Sequence, residues 1–320
     1  MTRPALSPVA LGVAMAFAAY AVYAWADAII KGLGDTLGIF EIGFFSTIFS
    51  ILPGLFFARP REERWRDVFR FRHPRLIQLI AVLRVAAAVL VTYSFVTIPL
   101  AEAYCLVFLI PVFLTLLSVF VLREKVTIER WILVLVSFAG VLLVVKPGFR
   151  ELELGHLTAI GCALASAVAT TCTRFISGSE RRTSLFLLPT LYTLLFNGAM
   201  LLAGFSLPSA TDWLFLVLAG LLGGLGYVLQ IAAITHAPAS RVAPIQYSQI
   251  VWALILGALF FTEYPDSIEL IGLGVVVAAG IANILADGAR ARISGRWAEY
   301  RARRDTTPDD ASRISGPPEA

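Results

Sequence analysis

Long apolar runs, broken by short charged or Pro/Gly-containing connectors, divide the chain into ten candidate helices. They fall at about 9–31, 38–58, 75–98, 100–122, 127–146, 155–176, 184–205, 212–234, 240–261 and 267–287. Each run is near the roughly 20 residues that a helix rising about 1.5 Å per residue needs to cross a hydrocarbon core of roughly 30 Å. No run shows the apolar/polar alternation of a membrane barrel. In lipid, backbone polar groups find partners only within helices or closed barrels, so the pattern predicts an all-α membrane protein with ten transmembrane helices. The clearest hairpin joins 106–122 to 131–145 through the charged connector 123–130. Pro111 lies inside its first helix, where neighbours and water can satisfy the carbonyl that proline frees. The run at 9–30 is too long for a signal-peptide core and reads as a retained first helix.

The hairpin recurs. Moved forward by 139 residues, 99–147 lies on the end of the chain without a gap: Pro99 on Pro238, Ala101 on Ser240, Phe108 on Tyr247, Phe120 on Leu259 and Glu124 on Glu263. A second offset, of 143, sets Leu11 and Gly12 on Leu154 and Gly155, and Lys31 on Arg174. Spans one to five therefore resemble spans six to ten. Five is odd, so the second half enters the membrane upside down. The expected architecture is two inverted-topology five-helix repeats, 9–146 and 155–287, between an N-terminal segment 1–8 and a tail 288–320 that is basic and then rich in Pro, Asp and Ser. Inverted repeats of this kind hold substrate between their halves near the midplane. Chance likeness of apolar helices is the alternative, and the matched Pro and Glu at both ends of the run argue against it.

The segment PLAEAYCLVFLIPVFLTLLSVFVLRE at 99–124, followed by Arg130-Trp131 and a Gly-containing fifth span, resembles the EamA domain. That domain occurs twice in bacterial carriers of the drug/metabolite transporter superfamily. The resemblance covers 9–146 and 155–287 and implies ten helices, two EamA repeats and transport by alternating access. FEIGFFSTIF at 40–49 and FFTEYPD at 260–266 are most similar to the branch holding S-adenosylmethionine and riboflavin carriers. Ser46 stands where many members of that branch carry a second-span Arg.

Composition agrees: 58% of residues are hydrophobic and the mean hydropathy is +0.80, beyond what a soluble fold can hide. Basic residues gather in alternate connectors: the arginines between Arg59 and Arg75, Arg123, Lys125 and Arg130, Arg174, Arg181 and Arg182, Arg241, and the arginines after Arg290. The intervening connectors hold only Lys31, Lys146 and Arg150. This bias places both termini in the cytoplasm, the membrane being a bacterial inner membrane as the resemblance implies, and accounts for the net charge of +4 without nucleic acid. Cys105, Cys162 and Cys172 read as small apolar filler, and His73, His156 and His236 as isolated residues in connectors or span ends. No metal spacing, ATP-binding motif or catalytic cluster appears, so no cofactor is expected and the energy would come from a gradient.

Ionisable groups at mid-helix cost at least about 2.5–3.5 kcal/mol in a bilayer, so each calls for a reason. Arg84, about 13 Å beyond Arg75 along the third span, suits a substrate carboxylate or phosphate; its structural alternative is an ion pair with Asp27 or Glu102. Asp27 suits a proton or a substrate amine, or else pairs with Lys31 four residues on. Glu102 and Arg241 occupy equivalent repeat positions with opposite charge and read as gate candidates at opposite mouths. Gln246, Tyr247, Gln249 and Trp252 form a polar stripe on the ninth span, Tyr227 and Gln230 add to it from the eighth, and Tyr20 and Tyr23 offer aromatic walls from the first. Such amides and rings suit a flat, polar metabolite; interhelical hydrogen bonding is the alternative, worth only about 0.6 kcal/mol per contact. The expected function is a secondary-active, proton-coupled or exchanging transporter of small organic metabolites, monomeric or homodimeric. S-adenosylmethionine, riboflavin- or nucleoside-like compounds and amino acids are the candidate substrates. A polytopic enzyme or structural membrane protein is the rival class.

Overall fold

The computed structural model describes residues 8–57, 71–120, 127–146, 152–176, 179–283 and 285. Among these there is no strand, and helices occupy all ten expected positions: α1 (Pro8–Leu33), α2 (Ile39–Phe57), α3 (Pro74–Thr97), α4 (Leu100–Val107 and Ile110–Phe120), α5 (Ile128–Val145), α6 (Leu154–Ile176), α7 (Arg182–Leu201), α8 (Ala210–His236), α9 (Ala239–Val242, a 3-10 turn at Ala243–Tyr247, then Ser248–Phe260) and α10 (Ser267–Asn283). Seven are long and apolar enough to cross a membrane; Ile39–Pro53, Trp131–Val145 and Ser267–Asn283 are shorter apolar helices. The connectors at 58–70 and 121–126, with most of their arginines, and the tail lie outside the described residues, as does Glu124.

Local sequence sets the helix ends. At the start of α8, the Ser209 hydroxyl accepts from the Asp212 amide at 3.1 Å, and the Asp212 carboxylate accepts from the Ser209 amide at 2.9 Å, which satisfies two otherwise unpaired donors. α3 and α8 each end two residues before a proline, whose ring disfavours helical backbone in its predecessor. Ile98 (φ −122°, ψ 165°) and Ala237 (φ −135°, ψ 147°) are both extended, and they are repeat equivalents.

Two spans depart from continuous helix. Pro111 has no amide to donate to the Val107 carbonyl, and α4 breaks just before it at Phe108–Leu109, where the Leu109 amide tightens onto Leu106 at 3.1 Å. The proline is tolerated within the span, at the cost of this local break. In α9 the Pro244-containing stretch is a 3-10 turn ending at Tyr247, the equivalent of Phe108. Both halves interrupt the same helix at the same place.

Helix pairing has the symmetry of exchanged halves. α1 lies along α8 and α6 along α3; α2 meets α8 and α7 meets α3; α4 packs on α6 and α9 on α1; α2 touches α7, and α4 touches α9. Two glycine crossings make the relation atomic. A Cβ on Gly12 would lie 2.6 Å from the Ala237 side chain, and one on its equivalent Gly155 would lie 2.7 Å from Ile98. Glycine is required at both because the backbones approach within a side chain's width. The largest buried cluster joins α4, α5, α9 and α10 with Ala24 and Ala28 of α1 and Ala159 and Ala163 of α6. Large apolar side chains such as Val82, Leu135 and Leu195 point outward, as a lipid-facing surface requires.

Candidate functional site

Along α1, Tyr20, Tyr23 and Asp27 recur at helical spacing on one stripe facing the second half. The Tyr23 hydroxyl donates to Gln230 Oε1 at 3.2 Å, and Gln230 Nε2 donates to the Tyr20 hydroxyl at 3.3 Å. Gly226 permits this closeness, since a Cβ there would lie 2.8 Å from the Tyr23 ring. One turn further, the Tyr104 hydroxyl donates to Asp27 Oδ2, and Gln249 Nε2 donates to the Tyr104 oxygen at 3.3 Å. α1 and α4 thus meet on a single carboxylate, and α9 reaches it through Tyr104.

Rings enclose this point. Tyr104 lies 5.3 Å from Phe95 and stacks on Phe108 at 6.0 Å; Phe108 lies 4.9 Å from Tyr247, centroid to centroid. Trp252 sits 6.2 Å from Phe17, on the stripe of Tyr20 and Asp27. Gln246 is half-buried in the 3-10 turn that carries Tyr247.

The helical Asp27–Lys31 pair does not form. Lys31 Nζ is taken by the Ile98 carbonyl at 2.8 Å, the Phe95 carbonyl at 3.2 Å and Glu263 Oε1 at 2.8 Å. These acceptors use all three ammonium donors. Among the described residues no Lys, Arg or His lies within ion-pair distance of Asp27. Its carboxylate is held by a neutral hydroxyl.

Other sequence-derived candidates sit apart. Arg84 pairs with neither Asp27 nor Glu102; its guanidinium donates to Thr170 Oγ1 at 3.5 Å, and Thr170 is the repeat equivalent of Asp27. Tyr227 stacks on Phe186 of α7 at 4.5 Å. Arg241 is exposed at the face where α1 and α3 begin. Glu102 is buried at the opposite face, where its Oε2 lies 3.0 Å from His156 Nε2. His156 is therefore not isolated as the sequence suggested, and His73 lies 3.5 Å from Glu180.

Lys31, Glu102, His156, Lys146 and Glu263 share one face, termed the Lys31 face. There a cavity of about 200 Å³ lies between α4, α5, α9 and α10, with Glu102, Glu263 and Glu269 in its wall. Tyr104 and His156 escaped sequence reasoning because their roles come from partners 77 and 54 residues away. Glu263 did carry a signal, its match to Glu124 across the repeat.

A model of the EamA-like transporter family matches residues 10–146 and again 153–285. An S-adenosylmethionine uptake transporter of Rickettsia bellii is 26% identical over 262 residues, spanning 79% of this chain and 86% of the relative. The pseudopaline exporter CntI of Pseudomonas aeruginosa is 27% identical over 274 residues, 85% and 95% of the two chains. A riboflavin transporter of Vibrio cholerae is 26% identical over 181 residues, 56% and 61%. A solved crystal structure shares the fold with a TM-score of 0.62 at 17% identity, covering 87% of this chain and 98% of the other.

Proposed function

The chain belongs to the EamA-like transporter family and is a membrane transporter of small metabolites; we propose that its cargo is a small organic molecule joining a cationic group to a flat, polar body. The observation that carries this is Asp27, a carboxylate inside the membrane with no basic partner among the described residues and with aromatic rings around its hydroxyl donor. A carboxylate in such surroundings gains most from a cation, and ring faces add attraction for one. Tyr20, Tyr23, Gln230, Gln246, Tyr247, Gln249 and Trp252 then line the path of the flat body. Tyr227 and Arg84 extend it towards α7 and α6, with Arg84 meeting an anionic substituent. Glu102 and Arg241 stand at the two mouths.

The halves rock about the site and expose it to each side in turn, driven by a gradient. A proton is the second occupant open to Asp27, and its exchange for the cationic cargo would couple transport to the proton gradient. Both termini lie in the cytoplasm by the distribution of Lys and Arg. S-adenosylmethionine carries a sulfonium cation on a flat adenosine, which makes it the first probe. The test is thermal unfolding of purified protein with S-adenosylmethionine, riboflavin, nucleosides and amino acids, for wild type, Asp27→Asn and Arg84→Ala. A ligand that stabilises the wild type and not Asp27→Asn supports the reading; equal stabilisation of the two removes Asp27 from the site.

A further inference from the structure

We infer that Lys31 and Glu263 are the gate of the Lys31 face, seen here shut. Each is matched to its surroundings by more than the partner's charge. Lys31 sits against the Phe95 and Ile98 carbonyls at the C-terminal end of α3, the negative pole of that helix. Glu263 Oε2 accepts the Leu100 amide at 3.0 Å, at the N-terminal, positive pole of α4. One carboxylate of the second half therefore holds the end of α1 and the start of α4 directly, and the end of α3 through Lys31, all in the first half.

Local backbone geometry delivers that carboxylate. Thr262 takes φ 55°, in the left-handed region, and turns the chain so that the Glu263 amide donates back to the Gly257 carbonyl at 3.0 Å. A Cβ on Gly257 would come within 2.8 Å of Glu263 Oε2, so only glycine leaves room for the side chain. Two further bridges at this face also join one half to the other: Lys146 with Asp266 and, at 3.2 Å, Glu269; and Glu102 with His156. An alternating-access carrier must break whatever joins its halves at the closed face. Partly buried ion pairs suit that role, because their attraction is offset by the cost of dehydration and neither state is greatly favoured. The Lys31 and Glu263 side chains are 11% and 18% exposed.

The inference rests on the transporter reading, but its test needs no ligand, so a wrong substrate class and a wrong gate fail separately. Cys105, Cys162 and Cys172 are replaced by Ser, and spin labels are placed on Asp35→Cys and Tyr264→Cys, both exposed and on opposite halves at this face. The inter-label distance is measured in lipid nanodiscs. The wild type and the conservative Glu263→Asp give one short distance, whereas Glu263→Gln and Lys31→Gln each add a longer component. As a second readout, an Ala101→Cys thiol in the cavity wall reacts about tenfold faster with a polar reagent once either charge is removed. Unchanged distances and unchanged reactivity in either variant overturn the assignment.

Discussion

Phe108 and Tyr247 occupy the same position in the two repeats and touch each other, ring centroids 4.9 Å apart at 53°. Equivalent residues can meet only on the axis that relates them, so the pseudo-two-fold runs between these rings. Both sit where their helices break, and Tyr104 stacks on Phe108 one turn from Asp27. The axis and the two breaks lie beside the half-buried Asp27 carboxylate.

Tyr247 owes its place to Gly280 of α10, where a Cβ would overlap the tyrosine hydroxyl. Gly280→Ala is expected to displace the ring and lower stability by about 1–3 kcal/mol, the range for overpacking. Thermal unfolding in detergent measures it. Combining Gly280→Ala with Tyr247→Leu recovers part of the loss, since the smaller side chain clears the new methyl.

Tyr104→Phe removes the hydroxyl that donates to Asp27 and accepts from Gln249. A half-buried acceptor left without its donor costs up to about 1–3 kcal/mol. The variant unfolds at lower temperature, whereas Asp27→Asn keeps its stability within about 1 kcal/mol, because the amide oxygen still accepts from Tyr104. Uptake into proteoliposomes separates them further: Asp27→Asn abolishes concentrative transport, while Tyr104→Phe slows it.

Close-approach glycines differ from idle ones. Gly12→Ala and Gly155→Ala drive a methyl into Ala237 and into Thr97 and Ile98, and each lowers stability by about 1–3 kcal/mol. A methyl added at Gly223 or Gly274 would meet nothing within 4 Å, so alanine there gains helix propensity and raises stability by up to about 1 kcal/mol. Chemical unfolding of the four single variants checks the contrast.

The bridge from Lys146 to Asp266 predicts where pH does not act. Its hydrogen bond from Lys146 holds the Asp266 carboxyl below the usual carboxylate range, and the same bond raises the Lys146 ammonium above the usual lysine range. A depressed acid contributes stability above its unfolded pKa and loses it as pH falls through the folded value. A raised base contributes below its unfolded pKa and loses it as pH rises through the folded value. The bridge is therefore intact from about pH 5 to 9. Lys146→Gln leaves the shape of the transport–pH curve over that interval unchanged; a shifted curve contradicts the assignment.

Ten helices were legible because lipid imposes one rule on every span: an unbroken apolar run long enough to bury its own backbone bonds. The repeat was legible because prolines, glycines and Glu263 mark the ends of those runs at constant offsets, and the close approaches of Gly12 and Gly155 require the same residue twice. Sequence also picked out Asp27 as costly and the α9 stripe as polar. It could not choose partners. Spacing along α1 offered Lys31 to Asp27, but only the folded arrangement brings the end of α3 and Glu263 close enough to claim all of the lysine's donors, and Tyr104 close enough to claim Asp27. Local spacing reports what one helix can do alone. Which charge meets which hydroxyl, and where the halves are clasped, is decided by helices more than 60 residues apart in the chain, and that is tertiary information.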